Sequence, residues 1–353
     1  MSAPRTASGI RILVVIAALI IIIAGLKAAA AIVVPFLLAV FVVILVAPWY
    51  FWMQRKGVPS ALSLLVIVAA LLALGIFGAS FFTATVNSFV RNLPQYQTIL
   101  TQQVSEATGW LEARGVEVPE DAFNQALDTQ KLFAYARTIA GSVTILLSNG
   151  FVITLVAIFI LLEAARLPGK IRNLPGMTDR RWDDFLGIVG NVRQYMAMKT
   201  VMSLLTAVLV GSMLWLLDVD YPILLAVLAF LLNFVPSIGS IIAAIPGILL
   251  ALILQGLGDA TICAIGYIII NVGVSNFLEP KYMGKGLGIS PMIIIVSLFL
   301  WGWILGPVGM LLSVPLTMTI KVALESNPRT RSIAFLLSDG VPMQDEQQEK
   351  AGR

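Results

Sequence analysis

Residues 221–258 read YPILLAVLAFLLNFVPSIGSIIAAIPGILLALILQGLG, 38 positions without one charged side chain. A hydrocarbon core of about 30 Å is crossed by about 20 helical residues. The run is too long for one span, and Pro236, Gly239, Pro246 and Gly247 break it in its middle. Residues 286–320 repeat the pattern, with 35 uncharged residues interrupted by Gly302, Gly306, Pro307, Gly309 and Pro315. Broken backbone at membrane depth is tolerated only where protein or a water-filled cavity satisfies its polar groups. Paired Gly/Pro-interrupted apolar segments are also the best sequence pointer to a transporter's binding site. Pro236, Gly239, Pro246, Gly306, Pro307, Gly309 and Pro315 are therefore expected at hairpin tips, and the chain reads as a carrier.

Composition agrees. The hydrophobic fraction is 59% and the charged fraction 12%, about half the usual globular share of roughly 25%, so the chain is expected to be an integral membrane protein. Histidine is absent, which removes the commonest proton shuttle and every Ser-His or Cys-His catalytic arrangement. The single cysteine, Cys263, sits in an apolar run and reads as a small buried hydrophobe. No Gly-rich phosphate loop occurs; GKGLG at 284–288 lacks the required spacing and the following Ser or Thr. The expectation is a protein that is not an enzyme, uses no ATP and holds no cofactor or metal. The net charge of +4 is a matter of topology, because no basic patch interleaves with aromatics as nucleic-acid binding would require.

Charge-free runs predict the membrane helices of an all-α polytopic fold: Ile12–Leu26, Ala28–Gln54, Gly57–Val90, Thr138–Leu162, Thr200–Leu217, Ala260–Leu278 and the two broken stretches. That gives about 6–8 membrane helices. Arg5 and Arg11 before a short apolar core, with KAAAA after it, resemble a signal peptide. The alternative is a helical hairpin with the apolar run that follows at once. Basic residues set the sides: Arg5, Arg11, Arg55 and Lys56 face the cytoplasm, as does the loop holding Arg166, Lys170, Arg172, Arg180, Arg181 and Arg193. If each broken stretch crossed once, Lys281 and Lys285 would lie outside. If each is a re-entrant hairpin, both lysines, Arg329 and Arg331 are cytoplasmic and the positive-inside rule holds throughout.

Four regions follow: N-terminal membrane helices at 1–90, an extracytoplasmic helical segment at 91–137, a transport core at 138–328 and a cytoplasmic tail at 329–353. In the outer segment Pro94 is expected to end the preceding helix, after which Tyr96, Ile99, Leu100, Val104, Ala107 and Leu111 recur at helical spacing. GVEVPEDAF supplies a turn before a second helix. The segment is either a lid or oligomer contact, or a helix extension lying on the bilayer.

Polar residues near the breaks are the candidate site. Asn233, Ser237 and Ser240 flank the first break, where freed backbone groups and the Asn233 amide can bind a polyhydroxylated solute without any charged residue. NVGVSNFLEPKYMGKGLGISP follows, with Asn271 and Ser275 at i, i+4 on one helix face and Asn276 one position off. Asn233, Ser237, Ser240, Asn271 and Asn276 are the expected cargo contacts. Glu279 is an interfacial carboxylate and a default functional candidate, as gate or coupling group with Lys281, or else as a structural clasp to Lys281 or Lys285. Lys199 and Lys321 read as snorkelling residues at the cytoplasmic headgroups.

LLNFVPSIGSIIAAIPG, NFLEPKYMGKGLGISP and LFLWGWILGPVGMLLSVPLTMTIKVALE together resemble the autoinducer-2 exporter family. VPFLLAVF in the second helix, NLPQYQ and RLPGK extend the likeness over nearly the full chain. The resemblance implies a multi-helix bacterial inner-membrane protein that carries a small-molecule cargo and assembles as a homo-oligomer. It implies export of autoinducer-2 or, for other members, sodium or lithium exchange against protons. A non-transporting membrane scaffold is the rival from another class.

Overall fold

The computed structural model describes residues 5–114, 134, 138, 141, 150–164, 167–175, 177–236, 238–283, 288–325 and 330–338. In chain order the helices are α1 (Arg5–Ala28), α2 (Ala30–Arg55), α3 (Ser60–Glu112), α4 (Gly150–Ala164), α5 (Leu167–Arg172), α6 (Asp179–Leu216), α7 (Pro222–Leu232), α8 (Ile238–Gln255) and α9 (Leu257–Val272). A π-helical turn (Gly273–Leu278) leads into α10 (Glu279–Met283), and α11 (Pro291–Leu305), α12 (Pro307–Leu311), α13 (Ser313–Glu325) and α14 (Arg331–Leu336) complete the series. Among the described residues there is no strand. Five helices, over Ala30–Arg55, Ser60–Gln103, Phe185–Leu216, Ile238–Gln255 and Leu257–Tyr282, are long and apolar enough to cross a membrane. Leu74, Ile76 and Phe77 on α3 and Phe299 and Trp303 on α11 are exposed, a distribution that suits lipid and not water. The protein is an all-α polytopic membrane protein.

The chain forms two compact units, one from Met1–Trp52, Leu155–Met196 and Gly286–Arg353, the other from Met53–Thr154 and Ala197–Lys285. Each unit contains one of the two broken stretches.

In the second unit, Pro222 opens α7 at a position where its missing N–H costs nothing. α7 runs only 11 residues, about 17 Å at 1.5 Å per residue. It stops at Asn233, whose N–H still bonds to the Ala229 carbonyl at 2.9 Å. Asn233, Phe234 and Val235 are all buried, so the irregular backbone of the break is enclosed by protein, as membrane depth demands. The chain then returns as α8. A Cβ at Gly239 would overlap the Leu232 carbonyl oxygen and lie 2.9 Å from the Val235 Cβ. Glycine is required there because the returning helix sits directly on the carbonyl that ends the outgoing one.

The first unit's hairpin closes in the same way. α11 ends at Gly306, whose φ of 70° excludes an ordinary side chain, and Pro307 starts α12. A Cβ at Gly309 would overlap the Trp301 carbonyl oxygen and approach the Leu305 Cβ to 2.8 Å. Trp301 Nε1 donates to Thr317 Oγ1 at 3.1 Å, tying α11 to the return helix α13. At the base of this hairpin the Ser290 N–H donates to the Leu337 carbonyl at 3.1 Å. Lys27, at the end of α1, places its ammonium 3.6 Å from the Trp303 ring centre, a cation–π contact. Lys321 pairs with Glu325 at 3.1 Å.

Three expected breaks are not breaks. Pro246 and Gly247 lie inside α8, which continues unbroken to Gln255. Proline there leaves the Ile242 carbonyl without its intrahelical donor, a cost that membrane helices bear when neighbouring groups re-satisfy the backbone. Pro315 lies in the first turn of α13, where the N–H would be unbonded in any case. Pro94 lies inside α3, which runs 53 residues through it. Among the described residues the first stretch breaks between Leu232 and Ile238 and the second at Gly306. The expected helical turn over GVEVPEDAF lies outside the described residues.

Gly247 serves packing. A Cβ on it would stand 2.6 Å from the Tyr267 hydroxyl and 3.0 Å from the ring, so α8 and α9 approach by this notch. Gly247→Ala is expected to lower stability by about 1–3 kcal/mol through overpacking. Tyr267→Phe should relieve part of that loss, because its hydroxyl is buried without a hydrogen-bond partner. A double-mutant cycle on thermal unfolding in detergent checks both; strict additivity would refute the notch.

The long α3 is the spine of the second unit. Val86, Phe89, Leu93, Tyr96 and Leu100 are buried in that unit's core, at the alternating three- and four-residue spacing of one helix face. The α6–α7 loop is fastened to this face. Tyr96 Oη donates to Asp220 at 2.7 Å, Asn92 Nδ2 donates to Tyr221 Oη at 2.8 Å, and the Tyr221 ring stands edge-on to Phe89 at 5.7 Å. Gln255, the last residue of α8, donates to the Asp218 carbonyl at 2.8 Å. These bonds hold Asp218 and Tyr221 at φ of 54° and 59°, a region that costs non-glycine residues energy unless their surroundings fix it.

Candidate functional site

The most polar buried cluster of the second unit starts on α6. Lys199, Ser203 and Thr206 fall at i, i+4 and i+7 and so share one face. All three are buried, in a helix long and apolar enough to span a bilayer. Thr206 spends its hydroxyl on its own helix, donating to the Met202 carbonyl at 3.0 Å. Ser203 Oγ accepts from Asn233 Nδ2 at 3.0 Å. Asn233 is the residue at which α7 stops, so this bond joins the hairpin break to the polar face of α6.

One turn before Ser203, the Lys199 ammonium forms an ion pair with Glu279. Their side chains are 8% and 15% exposed, against 64% and 45% for Lys170 and Glu163. Both members of the Lys199–Glu279 pair lie within helices that can cross a bilayer. Glu279 follows directly on the π-helical turn, a wide helical geometry that concentrates at functional sites. A buried ion pair is a poor source of net stability, because desolvation offsets most of the attraction. Intramembrane charges of this kind mark functional sites by default. The cluster offers a carboxylate, an ammonium, a hydroxyl and an amide, a set suited to holding a polar solute or a small cation.

Several expectations change here. Of the two readings of Glu279, the clasp to Lys281 or Lys285 is not what forms: its partner is Lys199, 80 residues away in sequence. Lys281 is exposed, and Lys285 lies outside the described residues. Lys199 does not snorkel: its ammonium turns inward to Glu279 because the carboxylate supplies the partner that headgroup water would otherwise give. Asn271 turns its amide back on its own helix, donating to the Tyr267 carbonyl at 2.9 Å. Asn276 is exposed. The π-helical turn from Gly273 intervenes between Asn271 and Ser275, so the face expected from α-helical spacing is not kept. Ser240 is half-buried in the first turn of α8, and Ser237 lies outside the described residues. Lys199, Ser203 and Thr206 were missed as a group. The signal was present in KTVMSLLT, three polar side chains at helical spacing within an apolar run.

Comparison with known proteins places this architecture in a family. A family model described as AI-2E family transporter matches residues 16–329. The chain belongs to that family. It is 41% identical over 297 residues to a Haemophilus influenzae protein named "Putative transport protein", covering 81% of this chain and 84% of that one. It is 34% identical over 287 residues to the AI-2 transport protein TqsA of Escherichia coli K12, covering 81% and 83%. A sodium-lithium/proton antiporter of Halobacillus andaensis is 24% identical over 245 residues, covering 68% and 65%.

Proposed function

We propose that this protein is a secondary transporter of the bacterial inner membrane that exports a small polar metabolite, autoinducer-2 being the first candidate. The observation that carries this reading is the enclosed break at Asn233, hydrogen-bonded to Ser203 on a buried polar face that also holds Lys199 and Glu279. A chain whose purpose was scaffolding would have no need to bury an ion pair among apolar helices. The likeness to TqsA supports autoinducer-2 as cargo. Asn233 and Ser203 are the central contacts in this reading, with Ser240 in the first turn of α8 as a further candidate. Glu279 is the gate or coupling group, and Lys281 is its exposed neighbour in sequence.

In this reading the two hairpins are re-entrant from opposite sides, with both termini cytoplasmic. For the stretch over 286–320 the short arms support this: α11 and α13 have 15 and 13 residues, about 22 and 20 Å against a core of about 30 Å. A homo-oligomer in the bilayer completes the proposal, and the transport cycle needs neither ATP nor a catalytic group. Cation exchange against protons is the second reading, supported by the buried carboxylate and by the likeness to the Halobacillus antiporter.

Counterflow of labelled autoinducer-2 in proteoliposomes, with and without sodium and pH gradients, separates the two. Asn233→Leu keeps similar bulk but deletes the amide. It is expected to cut counterflow about tenfold or more, the equivalent of about 1.4 kcal/mol, while the protein still elutes as a single folded species. Unchanged kinetics would reduce Asn233 to a packing residue.

A further inference from the structure

We infer that Glu279 is the carboxylate of a monovalent-cation site, and that Lys199 is a tethered cation which occupies it and is displaced as a free ion binds. The inference rests on the transporter reading and adds to it a competitor for the cation that is built into the chain.

Three observations carry it. The first is burial: a carboxylate 15% exposed and an ammonium 8% exposed face each other in helices that can cross a membrane. A charge left alone there is costly, so release of either ion is favoured when another charge takes its place. The second is the donor set. Among the described residues no group of three or more His, Cys, Asp or Glu is placed to hold a metal. A single carboxylate suits the charge of a monovalent cation and falls short of the several oxygen anions that calcium sites gather. Neutral oxygens lie along the same face, Ser203 one turn from Lys199 and Thr206 nearly two, with Asn233 bonded to Ser203. In carriers, coupling ions are held where broken helices end, and Asn233 is such an end.

The third observation is the asymmetry of the two partners. Lys199 sits in the middle of the 38-residue α6, fixed in the helical register. Glu279 sits just beyond the π-helical turn, at the start of the five-residue α10. A lysine head on a four-carbon stem can swing away from a carboxylate while its backbone stays in place. The exchange breaks no covalent bond: sodium or lithium enters, the ammonium withdraws, and the carboxylate keeps one positive partner throughout. A coupling ion and the lysine thereby report on each other, as a carrier requires if ion binding is to change its shape.

The test uses the full chain in detergent at fixed pH and ionic strength, exchanging choline chloride for sodium chloride. Thermal unfolding is followed by tryptophan fluorescence. Lys199→Gln removes the tethered cation, so its unfolding midpoint should rise with sodium, half-saturating at least tenfold below the concentration that the wild type needs. Lys199→Gln/Glu279→Gln should show no sodium dependence, and Lys199→Arg, which keeps a tethered charge, should respond no more strongly than the wild type. Equal sodium responses in the wild type and Lys199→Gln overturn the proposal, as does a response that survives in the double variant.

A second readout needs no variant. Amine-reactive labelling of Lys199 in the wild type, quantified by mass spectrometry, should increase when sodium replaces choline, because the displaced ammonium becomes accessible. Labelling that does not change overturns the proposal as well. Neither readout uses autoinducer-2, so both stand or fall independently of cargo counterflow.

Discussion

Gly239→Ala is expected to abolish most of the folded protein. The added methyl would enter the space of the Leu232 carbonyl oxygen and press on the Val235 Cβ at 2.9 Å. Neither neighbour can give way easily, since one is backbone at the end of α7 and the other is buried at the tip. Overpacking against flexible side chains costs about 1–3 kcal/mol, and backbone is less forgiving, so about 3 kcal/mol or more is expected here. Gly309→Ala should behave alike, since its methyl would meet the Trp301 carbonyl oxygen. Gly75→Ala is the control: nothing lies within 4 Å of its position in α3, and alanine should stabilise that helix by up to about 1 kcal/mol. The temperature at which the monodisperse peak is half lost in size-exclusion chromatography measures all three. A Gly239→Ala protein as stable as the wild type would disprove the seat of α8 on α7.

The second large effect is expected at the buried ion pair. Glu279→Gln leaves the Lys199 ammonium buried without its counter-charge, and breaking such a pair on one side costs about 3–5 kcal/mol. Lys199→Met/Glu279→Leu removes both charges and should recover most of that loss, because two apolar side chains need no solvation. The sign of the recovery is the decisive measurement. If the double variant is no more stable than Glu279→Gln in the same half-loss assay, the two side chains do not form a pair. A surface pair such as Lys170–Glu163 should show under about 1 kcal/mol in the equivalent experiment, given its exposure.

Much of the fold could be read from the chain because lipid imposes a simple rule. Runs without charge had to be helices, and excess length with Gly and Pro had to interrupt them; helices do end between Leu232 and Ile238 and at Gly306. The rule was too strong for Pro94, Pro246 and Pro315, which remain inside helices. Proline removes one donor wherever it stands, but whether the helix ends depends on what neighbours offer the freed carbonyl, and the local sequence does not contain those neighbours. The site was half legible for a related reason. Asn233 and Glu279 could be singled out as polar groups in apolar surroundings. The pairing of Glu279 with Lys199 could not, since Lys281 and Lys285 are far nearer in sequence and equally basic. Apolar periodicity gives little help in choosing, because lipid-facing and core-facing positions of a membrane helix are both hydrophobic.

The length of α3 has a mechanical meaning. At 53 residues it measures about 80 Å, so about 50 Å remains beyond a hydrocarbon core of about 30 Å. The α6–α7 loop grips it at Asn92 and Tyr96, and Gln103, further along, donates to the Ile253 carbonyl of α8 at 3.1 Å. The helix is thus a lever with its grips some way along the shaft. A tilt of about 5° about its Ser60 end would carry the far end through about 7 Å, while Asn92, Tyr96 and Gln103 would travel about 4, 5 and 6 Å. Any displacement of the α7–α8 hairpin that tilts α3 would therefore reach the tip of α3 enlarged by a factor of about 1.2 to 1.7, set by where along the shaft the hairpin holds it.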